Sequence, residues 1–411
     1  MAYIVPFPAV RPTKEEAAKI AALPYDVYSR AEAYEKVKEQ PDSFLAIDRP
    51  ETQFAPDVDM YSDEVYEKAA SMLQEWVAQG RFIQDEQYFY YVYELTMDGR
   101  SQTGIVACAS IDDYLNGVIK KHENTREEKE QDRIRHVDTC SAQTGPIFLA
   151  YRSDATINSI VAKAKSRLPI YDFVAEDGIG HRCWVIDDKV TCALLATTFD
   201  KMDSIYIADG HHRAASAVKV GLKRRQENPG YKGDEPYNFF LSVLFPDDEL
   251  KIYDYNRVVK DLNGLAEDEF LMELENIADI LKTSDTPIRP DKKGQFSMYM
   301  DGTWYLLQVL EEFTSDDPVE GLDVSLLQNL VLEPLLGIDD PKTSDRIDFV
   351  GGIRGLEELE RRCATDCKVA FAMYPTSITE LFDVADAGLL MPPKSTWFEP
   401  KLRSGLFIHL I

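Results

Sequence analysis

An α+β fold is what this sequence of 411 residues predicts, on three observations. Strand-like and helix-like runs mix along the whole length, without the strict β–α–β alternation that a doubly wound parallel sheet requires. Asp98-Gly99 and Asp301-Gly302 each separate two apolar runs, which signals an antiparallel hairpin. Asp209-Gly210 instead joins a short apolar run to a helical stripe. The chain exceeds the usual length of a single core, so two or three packed subdomains are expected. Their boundaries are placed at 1–110 (α+β), 111–262 (the core that carries the Asp209-Gly210 turn) and 263–411 (α+β with a basic tail loop).

The elements follow in order. Val5-Pro6-Phe7-Pro8 is extended, a short helix covers 14–22, and Pro24 fixes a loop at Leu23–Tyr28. Amphipathic helices are expected over 31–39 and 61–79; the second puts Tyr66, Ala69, Ala70, Leu73 and Trp76 on one face and ends at Gly80, a plausible C-cap. Strands at 88–95 and 103–109 form the first hairpin. Further strand-like runs lie at 146–151, 182–187, 205–208, 238–245 and 250–253, and the second hairpin spans 296–309. Helical patterns cover 112–119, 125–136, 155–167, 213–227, 265–282, 323–336 and 356–362.

Residues 203–222 carry the most chemistry. Ile205 and Ile207 alternate with Tyr206 and Ala208 as in a buried strand, and Ala214, Ala217, Val218 and Gly221 recur at helical spacing. Gly210, His211, His212 and Arg213 therefore fall on the first turn of a helix springing from a strand end. Backbone N–H groups there lack intrahelical partners and the helix dipole favours negative charge, so the turn is an anion site. A cap role for Asp209 is also open. A metal role for the histidine pair is disfavoured, because adjacent helical residues point roughly 100° apart, unlike the i, i+4 pair of a zinc helix.

A second group lies at 120–136. Thr125 and Glu128 have capping-box spacing, placing a helix start at Arg126. Arg126, Lys129 and Arg133 then share one face. His122 and Glu123 precede that start, where side chains project into clefts; Glu123 is a candidate general base and His122 a candidate substrate contact. Asp26, among apolar neighbours, is another candidate site carboxylate. Near the C-terminus, Lys394, Lys401 and Arg403 concentrate positive charge in a Pro-rich segment, which suits a loop folded back over the anion site.

Charge and composition exclude much. Lys plus Arg total 45 against 72 Asp plus Glu, a net charge of −27, so most of the surface repels polyanions and nucleic acid is not an expected partner. No run reaches the length of a membrane span, and the N-terminal residues do not read as a signal peptide. The six cysteines form no Cys-x-x-Cys pair, consistent with reduced thiols and a cytoplasmic location. Walker, Gly-x-Gly-x-x-Gly and Gly-x-Ser-x-Gly signatures are absent.

Pro24-Tyr25-Asp26-Val27, His122-Glu123-x-Thr125 with Lys129 and Asp132-Arg133, Gly145-Pro146-Ile147-Phe148, Ala208-Asp209-Gly210-His211-His212-Arg213 and Pro392-Pro393-Lys394-Ser395-Thr396 together resemble the domain-of-unknown-function 1015 family, from one end of the chain to the other. More distantly, Asp209–Arg213 followed by Ala214 and Ala217 is similar to the phosphate-binding helix turn of the ParB/sulfiredoxin superfamily. That superfamily includes chromosome-partitioning nucleotidases, sulfiredoxins and free-serine kinases that use ADP or ATP. The resemblance implies a ParB/sulfiredoxin-like mixed core with added α/β subdomains. It also implies that this turn cradles nucleotide phosphates while a glutamate deprotonates a hydroxyl. Sulfiredoxin's cysteine has no counterpart at Gly210-His211.

The reading that follows is a nucleotide-dependent phosphotransferase acting on a small hydroxyl metabolite, with free serine the leading acceptor and ADP or ATP with Mg²⁺ as donor. Its expected catalytic residues are Glu123, Asp209 and His211. The expected nucleotide contacts are Gly210, His211, His212, Arg213, Arg126 and Lys394, and Asp26 and His122 would meet substrate. A ParB-like nucleotide switch or nucleotidase, and a metal-dependent hydrolase using His122, His211, His212 and carboxylates, are the alternatives.

Overall fold

The computed structural model describes residues 1–411, which form two compact units: Met1–Leu250 with Pro400–Ile411, and Lys251–Glu399. The three-part division at 110/111 and 262/263 is therefore redrawn. The first hairpin is not a separate subdomain, because its strands lie inside the sheet that also carries 111–246. The last residues return to pair with residues 142–143, His409 opposite Gln143.

The first unit is built on nine strands: β1 (Ile4–Val5), β2 (Tyr90–Met97), β3 (Arg100–Ser110), β4 (Ile119–Lys120), β5 (Ile147–Tyr151), β6 (Tyr171–Val174), β7 (Gly180–Ile186), β8 (Ile205–Asp209) and β9 (Phe239–Pro246). They form one sheet in the order β4-β8-β5-β9-β3-β2-β7-β6, with β1 on β3. Pairing is mixed, since β8 runs parallel to β4 and β9 parallel to β5, while the other pairs are antiparallel. The α+β class expected from sequence is the one observed. Central strands read as unbroken apolar runs, and β9 is buried along all of Phe239–Pro246, as strands covered on both faces must be.

Two helices frame the strand ends that matter below: α1 (Glu127–Cys140) and α2 (His211–Glu227). They pack together through Ser216, whose hydroxyl donates to the Glu130 carbonyl (3.1 Å), and through the Lys219–Glu130 ion pair. Ala214, Ala217, Val218 and Gly221 of the expected stripe are all buried.

In the second unit six antiparallel strands form the order 278–284, 303–309, 295–300, 369–373, 255–259, 347–351. Sequence periodicity suggested one helix over 265–282. Only Glu267–Glu275 is helical, and Ala278–Ser284 is instead a strand paired with Thr303–Val309. The hairpin's free edge needs a backbone partner, and that demand overrides a helical apolar pattern. The helix expected at 323–336 is an α turn at Asp323–Leu327 running into a π turn at Gln328–Leu332. Two further helices, Lys189–Phe199 and Ile378–Asp386, lie outside the helical patterns expected from sequence. No helix is long and apolar enough to cross a membrane.

Candidate functional site

Parallel pairing builds the site. Ile205 lies opposite Ile119 and Tyr206 opposite Lys120, so β4 and β8 leave the sheet at the same end. Three residues past Ile119 stands His122, and four past Ile205 stands Asp209. Glu123 and His211, 88 positions apart, are thereby brought together. One donor atom from each of His122, Glu123 and His211 lies within 4.8 Å of the others. The His122 and His211 rings meet edge to face, with centroids 4.6 Å apart.

Between β8 and α2 the chain turns at Gly210, whose φ of +91° is left-handed. Only glycine adopts that region without strain. A Cβ here would also sit 3.0 Å from the Arg213 guanidinium. Gly210, not Asp209, is the N-cap, and no side chain caps the helix. Asp209 ends β8 instead, and no side chain takes up the first-turn N–H groups.

Asp209 is ringed by positive charge. Burial pushes its carboxyl pKa up, but Lys401 (3.5 Å), Arg213 (3.5 Å) and His211 more than offset this and hold it below the ordinary range. Asp209 is therefore ionised at neutral pH. Arg213 Nη1 also donates to the Pro146 carbonyl (2.6 Å), tying the turn to the chain that enters β5. His211 is buried, and its Nε2 has no hydrogen-bond partner. Burial and the neighbouring His122 push its pKa well down. His122 is pushed down to about 4 by burial, and a ring N–H is held by the Ile207 main chain.

His212 points the other way, as its place one residue along the helix requires. Its Nε2 accepts the Arg126 backbone N–H (2.9 Å), which fixes that nitrogen as an acceptor. Its pKa is lowered by burial and by Lys129, with Asp26 and Glu130 opposing. Asp26, exposed in a short 3₁₀ turn at Tyr25–Val27, thus lies in the electrostatic field of His212. The capping box expected at Thr125 and Glu128 does not form. α1 starts at Glu127, Arg126 takes the N-cap position without a side-chain cap, and the Thr125 hydroxyl donates to Glu130 (2.7 Å). Glu130 is the better partner because it already faces α2 and Lys219.

The basic tail separates into different roles. Lys401 reaches Asp209. Buried Arg403 pairs instead with Asp177 and donates to His181 (3.3 Å for the latter). Lys394 belongs to the second unit, its ammonium 5.5 Å from the centre of the Tyr255 ring.

Behind the turn lies a cavity of about 30 Å³, room for one or two waters, lined among others by Tyr25, Asp48, Arg133, Thr144 and Arg213. Arg133 stacks on Tyr25 at 4.1 Å and donates to Asp132 (2.9 Å) and the Asp48 carbonyl (3.2 Å). Of the expected cationic face on α1, Arg133 is thus consumed inside the fold. Sequence reasoning missed Lys401 as the partner of Asp209; its only local signal was positive charge in an acidic chain.

Buried neutral histidines set a pH dependence. His122 and His409 are held down to about 4 and His181 to about 3, in each case chiefly by burial. Since unfolding restores the ordinary value near 6.5, the unfolded chain binds more protons below that pH. Their stabilising effect is complete above about pH 6.5 and is lost as pH falls toward about 4. His122 alone corresponds to about 3 kcal/mol. The melting temperature should fall across that window, before most carboxylates titrate, and His409→Asn should flatten the slope. A melting temperature constant between these pH values would show the histidines to be protonated in the folded chain.

A family model described as "Protein of unknown function (DUF1015)" matches residues 4–325. The chain belongs to the DUF1015 family. The match contains every residue of the β4–β8 site except Lys401, which lies beyond its end. No curated protein matches this DUF1015 chain. Among solved structures it is similar to C-terminally truncated SbnI from Staphylococcus aureus (11% identity, TM-score 0.41, covering 74% of this chain and 87% of that one). It is also similar to a free serine kinase in complex with AMP (13%, 0.34, 74% and 92%) and to a conserved hypothetical protein from Pyrococcus furiosus (14%, 0.33, 75% and 95%).

Proposed function

We propose that this chain is a phosphotransferase that moves a phosphoryl group from a nucleotide, ADP or ATP with Mg²⁺, to a small hydroxyl metabolite, free serine first among the candidates. The observation that carries the reading is the uncapped first turn of α2 with the Glu123 carboxylate across from it on the neighbouring strand end. Phosphoryl transfer needs positioned cations and donors around the phosphates and an acceptor for the hydroxyl proton. Here the N–H groups of His211, His212 and Arg213 would receive phosphate oxygens, with Lys401 supplying charge. Arg126 is the further cation proposed for the nucleotide. Glu123 would accept the proton and Asp209 orient the hydroxyl, with His122 and Asp26 contacting substrate. Mg²⁺ bound with the nucleotide would neutralise charge across its phosphates. A small anionic ligand also suits a local positive island on a chain of net charge −27.

The test is thermal stabilisation by ADP, ATP, CTP and pyrophosphate, each with and without Mg²⁺ and L-serine, since a ligand of the native state raises its melting temperature. A shift that grows when serine joins one nucleotide, together with a phosphorylated product, is the expected result. A nucleotide shift indifferent to serine would favour the switch or nucleotidase reading. No shift with any phosphate compound would overturn the proposal. His212→Ala, which removes the acceptor of the Arg126 backbone N–H, should weaken nucleotide binding by about 1–3 kcal/mol by releasing the start of α1; unchanged affinity would remove His212 from the site.

A further inference from the structure

We propose that His122, Glu123 and His211 form a binding site for one borderline divalent metal ion of the zinc class, separate from any Mg²⁺ carried by a nucleotide. Two imidazoles and one carboxylate are a recurrent donor set for zinc and neighbouring first-row ions, whereas Mg²⁺ prefers oxygen donors alone.

Four features converge. The three donor atoms lie within 4.8 Å of one another. Tetrahedral zinc with bonds of about 2.0–2.1 Å holds its donors roughly 3.3 Å apart, so the three donors must draw in by at most about 1.5 Å on binding. His211 is 93% buried (7% exposed), and its Nε2 lacks a hydrogen-bond partner. A buried ring nitrogen left so is costly unless something else occupies it. His122 is anchored at its ring by the Ile207 main chain, the outer-shell support that orients metal-binding histidines. Finally, the site has three protein donors, which leaves a position open beside the α2 turn, as in catalytic rather than structural zinc sites.

Sequence spacing hides this site. The adjacent pair His211-His212 cannot share an ion, and His-Glu-x-x-His is absent because position 126 is Arg. The pair that meets is His122 with His211, joined only by strand pairing. Glu123 can ligate through one oxygen and keep the other as a proton acceptor, so the role proposed for it above is compatible with the metal, whereas His122, with one ring nitrogen on the Ile207 main chain and the other on the ion, would no longer contact substrate directly.

The test uses the full chain, stripped with a chelator and titrated with Co²⁺ as a visible-absorbing substitute for zinc, with no phosphate compound present. One equivalent should bind, with the d–d absorption of a low-symmetry nitrogen–oxygen site, and Zn²⁺ should displace it. His122→Asn and His211→Ala should abolish that absorption, and Glu123→Gln should weaken binding by at least about tenfold. His212→Ala should keep one equivalent. Absence of binding to the wild type, or unchanged binding in Glu123→Gln with an unchanged melting curve, overturns the proposal. The Glu123 variant decides even if the buried histidine variants do not fold. Failure here leaves the nucleotide reading standing, and failure of nucleotide binding leaves this site standing.

Discussion

Arg213→Ala is expected to lower stability by about 2–3 kcal/mol and nucleotide affinity by about tenfold to a hundredfold. The guanidinium makes two contacts. It donates to the Pro146 carbonyl at 2.6 Å and faces the Asp209 carboxylate at 3.5 Å, with only 11% of its side chain exposed. Removal leaves that carbonyl unpaired and Asp209 with Lys401 as its remaining close cation. Breaking a mostly buried pair costs more than its net value, because the surviving charge stays in place. Asp209 is 33% exposed, so solvent screening keeps the loss below that of a fully buried pair. The turn would also lose its anchor to β5, and with it the alignment of the first-turn N–H groups. Denaturant titration and calorimetry with ADP measure the two effects. Arg213→Lys should recover part of the charge and not the two-point geometry. Wild-type values for both quantities in Arg213→Ala would show that Arg213 neither anchors the turn nor meets the nucleotide.

Gly221→Val should destabilise the chain by about 3 kcal/mol, the upper end for overpacking. A Cβ at Gly221 would lie 2.4 Å from the Tyr237 carbonyl oxygen and 2.8 Å from Ile111 Cδ1. The first neighbour is backbone and cannot swing aside. α2 would have to move off the Pro236–Asn238 turn, and its N-terminal end, which carries His211, would move with it. A glycine inside a helix costs roughly 1 kcal/mol relative to alanine, so its presence reflects this close approach. A melting temperature within error of wild type would show that the turn yields.

The strand-to-helix unit at 205–227 was legible because its signal is local. The apolar period changes from two to about 3.6 within a few residues, and Asp-Gly marks the change. The first hairpin was legible for the same reason, and the observed Tyr90–Met97 and Arg100–Ser110 fall close to the expected runs. The helix expected over 265–282 failed because its second half is decided by a remote edge. Ala278–Ser284 has exposed positions at Lys282 and Leu281, and its apolar residues alone cannot distinguish an edge strand from a helix end. The Thr125–Glu128 capping box failed because Glu130, drawn in by α2, competed for the same hydroxyl.

The sequence by itself determined the strand–turn–helix unit around Asp209–Arg213: an αL-permissive glycine at the turn, with two imidazoles and a guanidinium on the first turn of the helix. Only the tertiary structure decided what faces that turn. Whether Glu123 meets His211 depends on β4 pairing parallel to β8, and a register shift of one residue would send His122 to the opposite face. Lys401 reaches Asp209 only because the chain returns to the first unit at Pro400 after completing the second. Local patterns encode elements; the meeting of residues distant in sequence is fixed by pairing and burial summed over the whole sheet.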